Sequence, residues 1–263
     1  MTVEERFARR AARAGELGKG NGAAADLLGF AAALLSAQGR LGAAFSSLHA
    51  LEPLVGGLPE DLDRLMPSLS PFLELVARKA PDELAAEASR RAAEPAAGAR
   101  TRLLGWWSRE GESTEDYLSR AFLRPYLELL GASGLTASRP RAVGGCPACS
   151  GPPALSVRRP EPESQAGRRF LLCAHCGEEW PFARISCPSC SEEEPDRLPS
   201  FQAAQHPGVR IEACESCHRY LKSIDLTLDA RPVPEVDDLV SVVLDLWAQE
   251  QGFTRIEPGI AGL

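Results

Sequence analysis

The chain has 263 residues, 44% of them hydrophobic, which is enough for at least one substantial core and suggests two domains. Its formal net charge of -7 and pI near 5.3 would repel a polyanion, so the sequence predicts no nucleic-acid partner unless a local basic face exists. Uncharged apolar runs stay short and the N-terminus lacks an apolar signal core, so we expect no membrane span and a cytoplasmic location.

The first 135 or so residues are rich in Ala, Leu, Glu and Arg and contain no cysteine, which predicts an all-helical domain. The expected helices are residues 23–48 with a possible break near Gly39, 71–80, 82–94, 99–110, and one that begins at the approximate capping box Ser113-Thr114-Glu115-Asp116. Trp106 and Trp107 are adjacent and cannot both face the same core from a helix, so we expect one of them at the boundary or exposed.

Glycine and proline become frequent from Gly131 up to the first cysteine, which indicates a domain boundary. At the other end of the chain, residues 234–238 predict the start of a final helix, and Gly252 is a suitable stop. The apolar face of that helix is expected to comprise Val236, Val240, Val243, Leu244 and Trp247.

Eight cysteines form four C-x-x-C pairs between the two helical regions. The pairs are Cys146/Cys149, Cys173/Cys176, Cys187/Cys190 and Cys214/Cys217. In a reducing compartment such clusters favour metal over disulfides, and two C-x-x-C turns facing each other supply the four thiolates of a tetrahedral site. The last two pairs repeat the first two at an offset of 41 residues, which predicts a duplicated module.

Each repeat contains both turns of one site together with residues suited to short strands. The expected strands are residues 169–172 and 181–185 in the first module, and 209–212 and 221–225 in the second. Duplication of a self-contained module favours two sequential sites over an interleaved cross-brace, in which the first and third pairs would share one ion. We therefore expect one ion on Cys146, Cys149, Cys173 and Cys176 and another on Cys187, Cys190, Cys214 and Cys217.

Four-thiolate tetrahedra accept zinc and iron alike, so the spacing leaves the ion open. Dithiol redox catalysis, an iron-sulfur cluster, and His175 or His218 as replacement ligands fit the four complete pairs less well. Eight cysteines for two ions leave no open coordination position, which favours a binding protein over an enzyme. We expect the ions to hold together about 85 residues of low apolar content.

The chain also resembles the formate dehydrogenase accessory protein family FdhE. The resemblance lies in residues 104–110, 146–149, 172–180, 184–190, 212–222, 236–239 and 246–250, and the four cysteine pairs followed by Tyr220-Leu221-Lys222 are its most specific feature. It covers roughly residues 100 to 255. It implies two rubredoxin-like modules, iron rather than zinc, and a role in the maturation of respiratory formate dehydrogenase, with the catalytic subunit as partner.

Together these features predict an α+β multidomain protein: an all-α N-terminal helical domain, two tandem rubredoxin-like or zinc-ribbon tetracysteine modules, and a C-terminal helix. The expected bounds are 1–138, 139–186, 187–231 and 232–263. The expected function is that of an assembly chaperone in the cytoplasm. A rubredoxin-like electron-transfer protein and a nucleic-acid-binding zinc-ribbon protein are the alternatives.

Overall fold

The computed structural model describes residues 1–20, 22–108, 116–139, 144–162 and 164–260. Two compact units divide the chain, Met1–Pro140 and Arg141–Leu263. The helical region followed by a sheet with two tetracysteine groups confirms the predicted fold class. The finer module bounds at 186/187 and 231/232 stay a prediction.

The first unit is built from helices. Their bounds are α1 Val3–Gly20, α2 Ala25–Leu51, α3 Leu58–Leu65, α4 Leu69–Lys79, α5 Asp82–Ala92, α6 Ala96–Ser108 and α7 Tyr117–Ala132. Phe122 of α7 lies at the centre of the core, with ring centroids 5.9 Å from Phe45 of α2 and 5.8 Å from Phe72 of α4. Core packing therefore joins helices that are distant in sequence.

Helix α2 is continuous, so the expected break near Gly39 is wrong. Gly39 is buried in mid-helix, and a Cβ built on it would lie 3.3 Å from the Cβ of Phe7 in α1. This glycine allows close approach of two helices rather than ending one. Helix α2 is also long and apolar enough to span a membrane. However, 56% of its most apolar stretch is buried inside the unit, as in the core helix of a globular domain.

Two further sequence expectations need correction in this unit. Trp106 and Trp107 are both buried, at 2% and 5% exposure, and the guanidinium of Arg139 lies over both rings, 4.6 and 5.0 Å from their centroids. Residues 113–115 of the expected capping box lie outside the described residues. The start of α7 is instead capped by Asp116, whose carboxylate accepts the backbone N–H of Ser119 at 3.0 Å.

The second unit contains a seven-stranded sheet followed by short helices. Its elements are β1 Pro153–Glu161, β2 Ser164–Cys173, β3 Glu179–Pro181, β4 Ser200–Gln202, β5 Val209–Cys214, β6 Arg219–Asp225, α8 Pro234–Asp237, α9 Val242–Glu250 and β7 Thr254–Arg255. The order is β3-β2-β1-β6-β5-β4, with β7 beside β6. The strand expected at 181–185 is wrong, since β3 ends at Pro181, and the strands β1 and β4 were not anticipated.

Six of the seven strands form two three-stranded antiparallel ribbons, one per repeat, with the same internal order. The first strand of one ribbon, β1, pairs in parallel with the last strand of the other, β6, from Leu155↔Lys222 to Arg158↔Asp225. A cluster of buried apolar residues spans this joint: Ala154, Leu155, Val157, Leu172, Ala174, Ile224 and Leu226. The unit thus has a hydrophobic core of its own, whereas the sequence predicted a region of low apolar content held together by ions.

The C-terminal segment forms three short pieces instead of one helix. A 3-10 turn at Asp238–Ser241 separates α8 from α9. Val243 was expected on the buried face but is 56% exposed, because this turn changes the helical phase. Leu244 and Ala248 pack instead on Ile211, Ala213 and Tyr220 of the sheet. Gly252 follows α9 with a φ of +84°, as expected for its stop.

Candidate metal centres

The first site brings together Cys146, Cys149, Cys173 and Cys176. Cys146 and Cys149 precede β1, Cys173 ends β2, and Cys176 lies in the turn between β2 and β3. The Sγ atoms of Cys146 and Cys176 are 3.6 Å apart, those of Cys149 and Cys173 are 3.4 Å apart, and all four lie within 4.8 Å of one another. All four side chains are buried.

The second site brings together Cys187, Cys190, Cys214 and Cys217 in the same arrangement. The Sγ atoms of Cys187 and Cys217 are 3.7 Å apart, and those of Cys190 and Cys214 are 3.6 Å apart. The same pairs of equivalent cysteines are closest in both sites. The grouping is the sequential one that the 41-residue repeat favours, and the described residues contain no interleaved grouping.

The dimensions of both sites fit a single ion. A metal–sulfur distance of about 2.3 Å gives a tetrahedron whose edges are about 3.8 Å long. The shortest sulfur pairs, at 3.4 to 3.7 Å, are close to that edge without any bond between sulfurs. Four thiolates at this spacing would hold zinc or iron and leave no coordination position for a substrate.

The backbone turns sharply after the second cysteine of every pair. The residues at that position all have left-handed backbone angles: Ser150 at φ +62°, Gly177 at +66°, Ser191 at +62° and His218 at +54°. The turn closes in the same way in both sites, since Ser150 N–H donates to the carbonyl of Cys146 and Ser191 N–H to that of Cys187, each at 2.9 Å. Three of the four turns therefore contain a residue with a Cβ in a conformation that favours glycine.

Exposure distinguishes the two sites. The cysteines of the first site are at most 3% exposed, whereas Cys190 of the second is exposed and Cys217 is partly so. The first sulfur cluster is closed off from solvent, and the second reaches the surface through Cys190. The duplicated module thus offers two copies of one ligand set in different surroundings.

The thiols of the first site influence one another's ionisation. Hydrogen bonds from Cys149, Cys173 and Cys176 lower the pKa of Cys146, whereas burial raises the pKa of Cys173. Backbone N–H groups also point at sulfur, including that of His175, 3.3 Å from Cys173 Sγ. Four thiolates without an ion would repel one another, so binding a cation must displace protons and depends on pH.

The two histidines next to the cysteine pairs are not part of either ligand group. His175 is buried against Gly151, and its Nε2 lies 4.0 Å from a carboxylate oxygen of Glu257. His218 is exposed, and its ring centroid lies 6.1 Å from that of Phe253. The cysteine set is complete without them.

Behind the second site lies a buried charge network that sequence reasoning did not identify. The ammonium of Lys222 lies 2.7 Å from Asp238 and 2.6 Å from Asp245, and Arg255 contacts both carboxylates at 3.1 Å. The hydroxyl of Tyr220 donates to Asp245 at 2.9 Å. Tyr220 and Lys222 belong to the Tyr-Leu-Lys signature, so this motif fastens the C-terminal segment to the sheet.

Comparison with known families matches the sheet-containing part of the chain. A family model described as "FdhE, central domain" matches residues 145–184, and one described as "FdhE, C-terminal domain" matches residues 185–260. The first match contains the first site and the second match contains the second.

Curated relatives match the same region. A "Protein FdhE homolog" of Aquifex aeolicus is 39% identical over 117 residues, which is 44% of this chain and 41% of that protein. A "Protein FdhE homolog" of Pseudomonas aeruginosa is 35% identical over 119 residues, 44% of this chain and 38% of that protein. The aligned part thus spans about two fifths of the length of these relatives.

The similarity of fold extends further than that of sequence. The crystal structure of the FdhE protein from Pseudomonas aeruginosa superposes with a TM-score of 0.67 and 26% identity, covering 98% of this chain and 95% of that one. The helical region, to which neither family model is aligned, is therefore included in the structural match.

Proposed function

We propose that the chain belongs to the FdhE family, whose central and C-terminal domain models match residues 145–260, and that it is an accessory protein for formate dehydrogenase. In this role it binds the catalytic subunit of respiratory formate dehydrogenase in the cytoplasm and holds it during maturation. The observation that supports this most strongly is the match of both cysteine modules, one to each family domain.

The chemistry of the sites supports binding rather than turnover. Each ion would be enclosed by four thiolates, and a catalytic metal normally keeps a position for water or substrate. We propose that Cys146, Cys149, Cys173 and Cys176 hold one ion and Cys187, Cys190, Cys214 and Cys217 the other. On the resemblance alone, we propose iron rather than zinc. Each bound ion would supply folding free energy, on the order of 10 kcal/mol, by linking two turns.

Co-purification tests the proposed partner. The tagged full chain, expressed in its host under conditions that induce formate dehydrogenase, is expected to retain the catalytic subunit, identified by mass spectrometry. The matched control is the same tagged chain in a host that lacks the gene for that subunit. Failure to recover the subunit from the induced host would contradict the proposal.

Electron transfer is the second candidate, and the exposure of Cys190 favours it for the second site, because a surface-accessible sulfur gives an electron a short path to a partner. This function needs an iron ion that cycles reversibly. A preparation from the host that contains zinc in both sites, or iron that cannot be reduced and reoxidised, would exclude it.

A further inference from the structure

A cleft of about 230 Å³ opens on the face of the sheet opposite the C-terminal helices. Successive side chains of a strand point to opposite faces. Tyr220 and Lys222 of β6 point to the face that contacts the C-terminal segment. Arg219, which precedes Tyr220 in the strand, therefore points to the opposite face. Arg210 of β5 alternates in the same manner with Ile211, which packs on that segment. The face opposite the C-terminal segment therefore presents arginines.

Five arginines line the cleft: Arg158, Arg169, Arg184, Arg210 and Arg219. The strand register brings four of them onto one face, since Arg158 pairs with Arg169 across β1 and β2, and β6 joins β1 to β5. A local concentration of guanidinium groups stands out in a chain whose net charge is -7. This is a local basic face of the kind that the net charge of the whole chain does not reveal.

Three of these arginines have carboxylate partners within the sheet. Arg169 is buried and donates to Glu212 at 2.8 Å and to the carbonyls of Ala183 and Ser186, so it anchors the segment between the two ribbons. Arg158 and Arg210 share one oxygen of Asp225, each at 3.4 Å. A guanidinium has five N–H donors, so this one contact leaves Arg210 with donors for a further acceptor.

The other two arginines are uncommitted. Within the part of the chain that the structure describes, the side chains of Arg184 and Arg219 make neither a hydrogen bond nor an ion pair. The five guanidinium groups face two carboxylates, Glu212 and Asp225, which leaves three positive charges in excess. Four thiolates around an ion of charge +2 would give the second site a net charge of about -2. Because Cys187 and Cys214 border the cleft, this negative charge offsets part of the positive excess but not all of it.

We propose that the cleft binds a compact phosphate-containing ligand, with Arg184 and Arg219 as its principal donors and Arg158 and Arg210 beside them. Planar guanidinium groups match phosphate oxygens in pairs, and they keep their charge at any physiological pH. A phosphate or diphosphate concentrates two or more negative charges in a small volume. An acidic peptide would spread single charges over a longer path than a cleft of this size provides.

The proposal is independent of the proposed partner and is tested without it. The probe is inorganic pyrophosphate, titrated calorimetrically into the metal-loaded full chain at constant ionic strength in phosphate-free buffer. The expected result is one saturable site that binds pyrophosphate more tightly than phosphate. In the double variant Arg184→Gln/Arg219→Gln the affinity should fall at least tenfold, because two charged donors are lost.

The matched control is Arg231→Gln, which removes the same charge from an exposed pair with Asp229 in the same unit. It should change the affinity less than twofold. Metal content and circular dichroism, measured before and after titration, verify that every variant is folded and loaded. Absence of saturable binding to the unsubstituted chain would overturn the proposal, as would equal weakening by the control. Arginine-dependent binding of a glutamate-rich peptide in place of pyrophosphate would overturn the ligand class. If the double variant lost the second-site ion but bound pyrophosphate as tightly as before, the proposal would also be overturned, because the arginines would then only balance the charge of that site.

Discussion

At the scale of single residues, the positions after the cysteine pairs show what a sequence reveals and what it hides. The spacing of the cysteines predicts both sites, but Ser150, Ser191 and His218 carry no signal in the sequence. The structure places them in the left-handed region together with Gly177. The Cβ atom disfavours this conformation, and the turn imposes it because its backbone must bring two sulfurs into one cluster. A rule that requires glycine after the pair would have missed three of the four turns.

Replacing Ser150 by glycine is therefore expected to stabilise the metal-loaded protein, by about 1 kcal/mol, because glycine adopts positive φ without a steric cost. The opposite change at the other turn of the same site, Gly177→Ala, is expected to destabilise by about 1 to 2 kcal/mol. Both changes in unfolding free energy are to be measured by denaturant unfolding with metal content held constant. Equal effects of the same sign in the two variants would contradict the assigned backbone strain.

At the scale of elements, sequence patterns identified most helices and missed what joins them. Residues 82–94 and 99–110 were placed within a few residues of α5 and α6. The misreading of Gly39 has a physical cause: glycine weakens a helix in isolation, but here close packing against Phe7 compensates. The pairing of β1 with β6, almost 70 residues later, is not visible in a local sequence pattern.

The packing role of Gly39 leads to a test within one helix. We expect Gly39→Leu to destabilise the protein by about 1 to 3 kcal/mol, because the new side chain must displace α1. Gly29→Leu is the matched control, since Gly29 is exposed on α2 and a Cβ added there would have nothing within 4 Å. The control should be neutral or stabilise by about 0.5 kcal/mol through helix propensity. Thermal unfolding of both variants measures the change in stability. An equal loss of stability in the two variants would argue against close contact between α1 and α2 at Gly39.

The buried network between β6 and the C-terminal segment gives a larger expected effect. Lys222→Met leaves Asp238 and Asp245 with Arg255 as their one remaining buried cation among the described residues, and should cost about 3 to 5 kcal/mol of unfolding free energy. The comparison is Arg231→Met, which breaks an exposed pair with Asp229 and should cost less than about 1 kcal/mol. Similar small losses in both variants would mean that the network contributes little.

The same network should make stability depend on pH. Burial opposes ionisation of Asp238, but Arg255 and Lys222 outweigh it and hold the pKa of that carboxyl below its ordinary value. A carboxyl with a depressed folded-state pKa stabilises the protein above its unfolded pKa, near 4, and loses that contribution as pH falls toward the folded value. Asp238→Asn should therefore remove part of the acid slope below about pH 4 in unfolding titrations in which the metal content of both proteins is measured at every pH. An unchanged slope would contradict the assignment.

At the scale of the whole molecule, duplication explains both the sites and the sheet that contains them. The offset of 41 residues predicted two sequential ligand sets, and the structure groups the sulfurs in that way. What the repeat could not show is how the copies meet, because identical modules can be joined along different edges. Here β1 of the first ribbon adds to β6 of the second, and the joint acquires its own apolar core. The two ligand sets are separate although they share one sheet.

Counting metal ions tests this arrangement most directly. Protein purified from its host is expected to contain two ions per chain by mass spectrometry of the elements. The variant Cys190→Ser/Cys217→Ser, altered at the more exposed site, should retain one ion on Cys146, Cys149, Cys173 and Cys176. Circular dichroism and size-exclusion chromatography verify that each protein is folded when its metal ions are counted. Fewer than two ions in the unsubstituted chain, or loss of both ions from a variant that stays folded, would contradict two independent four-cysteine sites.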